Sequence, residues 1–124
     1  MPHVVLTGNI SLMDIFEKIE TFVVREDKTI LKTSDKFINQ DETSILVEAL
    51  TIDDKNKTSF LVLLSKREDG IVVRLYPQIE VEKTDSVKKI LAKIADNLIA
   101  AFPSLNVGKT NLHEFLQNKP NPEK

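Results

Sequence analysis

The triplet Gly108-Lys109-Thr110 is the first place in the chain where residue types and spacing suggest chemistry. A phosphate-binding loop reads Gly-x-x-x-x-Gly-Lys-Ser/Thr, and the backbone amides after its first glycine wrap the phosphates. Here the first glycine is replaced by Pro103, which has no amide to donate. Such a loop also follows a buried strand, whereas this one follows a helical pattern. The triplet therefore reads as a glycine stop and a polar cap. Thr110 or Asn111 should open a short helix, with Asn111 and Glu114 spaced as a capping box.

The other chemical candidates lack partners in sequence. His3 and His113 are the two histidines, one near the start and one on the polar side of the short last helix. Neither has a carboxylate or serine placed as base and nucleophile. Carboxylates come in pairs: Asp41-Glu42, Asp53-Asp54, Glu68-Asp69, and Glu80 with Glu82. The first three pairs fall in turns, where aspartate serves local backbone hydrogen bonds. Only Glu48 stands in an apolar setting, inside Ile45–Leu50, and a cross-strand ion pair with Arg74 or Lys66 is its expected role. No catalytic, cofactor-binding or metal-binding residue is assigned, and no enzyme is expected.

Composition narrows the class further. The chain has 124 residues, 41% hydrophobic and 29% charged, which suits one soluble domain. Seventeen basic against nineteen acidic residues give a net charge of −2, without the basic excess of a nucleic-acid binder. The absence of cysteine excludes disulfides and thiolate chemistry. Neither a signal peptide nor a membrane-spanning run is visible, so a cytoplasmic protein is expected.

The elements that would position these residues are clearer. His3–Gly8 predicts a strand, and Ser11 caps a helix over residues 12–20 with Leu12, Ile15, Phe16 and Ile19 at helical spacing. Four antiparallel strands should follow, over residues 29–39, 44–52, 58–66 and 70–76, the first interrupted near Thr33-Ser34-Asp35. Asp69-Gly70 is a favoured hairpin pair between the last two. Val87, Ile90, Leu91, Ile94, Ala95, Leu98, Ile99 and Phe102 form one broad helical face, capped by Thr84 or Asp85 and stopped by Pro103. Residues 3–117 make a single domain, and residues 118–124 a disordered tail.

The resulting order, β-α-β4-α-α, is that of an α+β fold with a sheet of about five strands packed on a long C-terminal helix. It is similar to the helix-grip arrangement of the TATA-binding-protein fold and of the ligand-binding folds of plant pollen allergens. The resemblance covers residues 3–102 and rests on element order. It implies a sheet curled around the long helix.

One anomaly bears on function. A strand with one solvated face should alternate, but Phe60–Leu64 and Ile71–Val73 are continuously apolar. Apolar residues on a second face call for a cover: the first helix and the C-terminal segment, a ligand, or another chain. The expected interface is Phe60, Val62, Leu64, Val72, Arg74 and Tyr76. Three readings follow: a non-catalytic interaction module that forms a homodimer through its sheet, a carrier of a small apolar ligand between sheet and long helix, or a weak nucleic-acid-binding module.

Overall fold

In the computed structural model, which describes residues 1–118, the chain forms one seven-stranded antiparallel sheet that curls into a half-barrel. The strands are β1 (His3–Thr7), β2 (Val23–Glu26), β3 (Thr29–Ile38), β4 (Ser44–Asp53), β5 (Asn56–Arg67), β6 (Gly70–Leu75) and β7 (Asn106–Thr110). Two α-helices, α1 (Leu12–Lys18) and α2 (Asp85–Ala101), and a 3-10 turn at His113–Phe115 complete it. Across the sheet the order is β2-β3-β4-β5-β6-β1-β7.

This corrects the expected architecture. The sheet has seven strands rather than about five, and α2 is not C-terminal, because β7 follows it and pairs with β1. The helix-grip likeness is therefore not sustained. Both extra strands are short edge strands. β2 is four residues long, joined to β3 by a turn in which Asp27 takes a left-handed conformation at φ 54°. Aspartate tolerates that conformation better than most residues. β7 holds the glycine-lysine-threonine triplet. Gly108 packs closely against β1: a Cβ would stand 3.1 Å from Thr7 Cγ2 and 3.4 Å from Val5 Cγ1, so those side chains would have to yield by a few tenths of an ångström.

The capping box is also corrected. Asn111 Oδ1 accepts from the His3 backbone N–H at 3.0 Å, and its Nδ2 donates to the Met1 carbonyl at 2.8 Å. Asn111 fastens the first strand instead of capping a helix. Thr84 does cap α2, accepting from the Val87 N–H at 3.2 Å. Ser11 stands at the N-cap of α1 without a side-chain hydrogen bond. Asn118, assigned to a disordered tail, is held by Asp96, and residues 119–124 lie outside the described residues.

The core lies on the concave, inner face of the sheet. Val4, Leu6, Val47, Phe60, Val62, Leu64, Ile71 and Val73 form one buried cluster with Leu12 and Ile15 of α1 and Ile90, Leu91 and Ile94 of α2. Leu112 and Leu116 join the same cluster, so the C-terminal segment lies on this side too. Each large side chain so buried contributes roughly 1.5–3 kcal/mol before conformational entropy is counted.

The expected interruption of β3 is real. A β-bulge between Thr33 and Asp35 places two residues opposite one on β4 and changes the phase of the strand. Regular alternation from Leu31 and Thr33 would bury Asp35 and Phe37. The bulge turns both outward and brings Lys36 inward.

Candidate functional site

A concavity of about 440 Å³ lies on the inner side, between the end of α1 with the segment that follows it and α2. Val47 of β4 and Thr33 of β3 form its floor. Ile94, Asn97, Leu98 and Ala101 recur at the spacing of one helical stripe and make the wall on α2. Residues 18–22, which link α1 to β2, make the opposite wall.

That linking segment is fixed to the sheet. Thr33 Oγ1 accepts from the Phe22 N–H at 3.0 Å, and the Thr33 N–H donates to the Phe22 carbonyl at 3.0 Å. Lys36 Nζ donates to the Ile19 carbonyl at 2.9 Å and to the Phe16 carbonyl, and sits 4.8 Å from the centre of the Phe16 ring. Its ammonium satisfies carbonyls at the C-terminal end of α1, where a positive charge is favoured. The wall is thus tied to β3 by hydrogen bonds rather than by a buried apolar core of its own. On the other side Ala100 and Ala101 are exposed and small, which keeps the cleft open. The side chains of Thr21 and Asn97, at the mouth, make no hydrogen bond among the described residues.

The expected interface residues divide between the two faces. Phe60, Val62 and Leu64 point inward and are buried against the helices. Val72, Arg74 and Tyr76 follow the opposite phase, onto the convex, outer face. Cross-strand register sets one row there as Phe37, Leu46, Leu63, Arg74 and His3. The neighbouring row carries Asp35, Glu48 and Leu61, continued by Tyr76, whose N–H donates to the Leu61 carbonyl at 3.0 Å. No helix covers this face among the described residues.

The expected ion pair of Glu48 with Arg74 or Lys66 is not formed. Glu48 accepts a hydrogen bond from Ser34 Oγ at 3.4 Å. The Nε of Arg74 is buried with no hydrogen-bond partner among the described residues. Two features escaped sequence reasoning: the inward turn of Lys36 and the outward turn of Phe37. The apolar-polar mismatch at Asp35, in a strand otherwise in phase, is the signal that marks them.

The paired carboxylates have local structural roles. Asp53 Oδ1 accepts from Thr29 Oγ1 at 3.1 Å and from Ser86 Oγ at 2.5 Å, tying the start of α2 to the sheet. Asp69 is held by Arg67 at 2.9 Å in the β5–β6 hairpin, and this hydrogen bond keeps its carboxyl below the usual carboxylate range. Glu80 and Glu82 lie in an irregular segment and are exposed. His3 Nδ1 lies 3.0 Å from the Met1 carbonyl, and His113 is exposed in the 3-10 turn. No cluster of three or more histidine, aspartate or glutamate side chains fit for a metal occurs among the described residues.

Comparison with protein-family models, with curated proteins and with solved structures finds no match. No catalytic family is connected with the chain by these comparisons. No helix among the described residues is long and apolar enough to cross a membrane.

Proposed function

We propose that the protein is a non-catalytic binding module that holds a small, largely apolar molecule in the cleft between α1 and α2. The observation that supports this reading is the cleft itself, about 440 Å³ with a floor of Val47 and walls of Ile19, Phe22, Ile94 and Leu98. Pockets for small ligands run about 300–1,000 Å³ and combine an apolar lining with a few orienting polar groups. Asn97 and Thr21 supply such groups at the mouth, where a hydroxyl, amine or carbonyl on the ligand would end. The charged residues of the lining, Lys18 and Glu20, are exposed at the rim and oppose each other in sign. Such a rim suits a neutral ligand.

The probe N-phenyl-1-naphthylamine, neutral and fluorescent in apolar surroundings, tests the reading. Saturable fluorescence enhancement is expected, with affinity lowered at least about tenfold in Ala101→Trp, which fills the cleft from an exposed position. Thermal unfolding of that variant should match the parent. Absence of saturation, or binding that survives Ala101→Trp, overturns the proposal.

A further inference from the structure

The outer face of the sheet carries the second inference, and it is independent of the cleft. Leu46, Leu61 and Val72, all half-buried, surround Leu63, which is buried, and together they form an apolar field there. Phe37, at 49% exposure, borders it on the β3 side, and Arg74 borders it on the β6 side. Both helices and the C-terminal segment are committed to the inner face. Four strands of this length cover a projection of roughly 20 Å by 30 Å. That is about 600 Å² at most, which approaches the ~800 Å² per partner of a standard interface.

The charge pattern identifies the occupant. Arg74 has a buried Nε without a partner, on the β6 side of the field. The acidic residues of the field, Asp35 and Glu48, are both exposed and lie on the β3 and β4 side. Asp35 and Glu48 accept hydrogen bonds from the Lys36 N–H and from Ser34 Oγ but have no cation paired with them among the described residues. A face that carries a cation at one border and anions at the other is complementary to itself when turned over. We propose that two copies of this chain pack outer face to outer face around a two-fold axis running along the strands.

The register gives this arrangement residue by residue. Rotation about such an axis exchanges β3 with β6 and β4 with β5. Leu46 of one copy then faces Leu63 of the other, and Phe37 faces Arg74. The adjacent row, with Asp35, lies two residues along the strand, about 7 Å away. That distance is within reach of an extended arginine. The guanidinium of Arg74 stacks on the Phe37 ring of the second copy and donates to its Asp35. Isologous contacts of this kind occur twice by symmetry, which is why a modest field suffices for closed dimers. Sheets packed face to face lie ≈10 Å apart, so the leucines interdigitate between them. A polyanion is disfavoured on the same surface by Asp35 and Glu48, so nucleic acid is not the occupant.

Sedimentation equilibrium of the full chain over micromolar concentrations tests the proposal. A mass twice the 14.1 kDa of the chain is expected. Leu61→Lys and Phe37→Glu should each yield monomers with unchanged circular dichroism and unchanged binding of the naphthylamine probe. Arg74→Asp should raise the dimer Kd at least about tenfold, and combining it with Asp35→Arg should restore most of the loss. A single 14.1 kDa species at every concentration overturns the proposal. So does a dimer that persists in Leu61→Lys and Phe37→Glu, since it would use the β2 or β7 edge instead. Failure to dimerise leaves the cleft reading untouched, because the probe binds on the opposite face.

Discussion

The inner and outer faces of the sheet are drawn from the same strands, and both are apolar, yet they are finished differently. On the inner face the polar groups are few and mostly answered within the chain: Thr33 by Phe22, Lys36 by the end of α1. Thr51 Oγ1 is the exception, buried without a partner among the described residues. On the outer face apolar rows are framed by charges that find no ion-pair partner among the described residues, Arg74 and Asp35 among them. Apolar content alone does not separate a core from an interface. The state of the polar groups around it does.

The sharpest way to break this comparison is to place the same charge on each face. Val62→Asp, fully buried on the inner side, should abolish cooperative thermal unfolding, at a cost above about 4 kcal/mol. Leu61→Asp, its neighbour on the outer side, should retain a cooperative transition and native circular dichroism. If the two variants lose structure equally, the outer face is part of the core and the distinction fails.

A smaller effect is expected where the inner face borrows a charge. Lys36→Ala removes the donor to the Phe16 and Ile19 carbonyls and should destabilise by about 1–2 kcal/mol, read from urea unfolding. Lys32→Ala, exposed on the outer side of the same strand, should stay within about 0.5 kcal/mol of the parent. Because Ile19 lines the cleft, Lys36→Ala should also weaken probe binding severalfold. Equal stabilities for the two variants would mean that Lys36 merely decorates the surface of α1.

Much of the sheet was legible in the chain, because local chemistry dictated it. Strands β3 to β6 follow from β-branched runs, and their turns from Asp41-Glu42, Asp53-Asp54 and Asp69-Gly70. The amphipathic α2 follows from its spacing, and its cap from Thr84. The edge strands were not legible: four or five residues carry too little pattern, and β7 gains its structure from β1, more than 95 residues earlier. The phase of the apolar strands was equally hidden. Phe60-Leu61-Val62-Leu63-Leu64 offers apolar residues to both sides, so only the tertiary position of α2 decides that Phe60, Val62 and Leu64 lie inside. The cleft depends on Ala100 and Ala101, whose signal is only the lack of a large side chain.

The smallest effect is expected where the two faces end, at the β5–β6 hairpin. Asp69 is held by Arg67, first through the side-chain hydrogen bond and then through the charge, which lowers its pKa and raises that of Arg67. A carboxylate with a lowered folded-state pKa adds stability above its unfolded-state value, and that stability is lost as pH falls through the folded one. Both side chains are open to water, where salt and solvent screen the pair. Between pH 6 and pH 3 the melting temperatures of the parent and of Asp69→Asn should therefore run parallel. The backbone tells a different story, since the Gly8 N–H donates to the Asp69 carbonyl at 2.9 Å and joins the hairpin to β1. Gly70 lies close beneath β1 as well, with no room for a Cβ beside the Leu6 carbonyl. If the two pH profiles diverge, the Asp69 side chain is setting that backbone contact, and the hairpin belongs to the core rather than to the boundary between the faces.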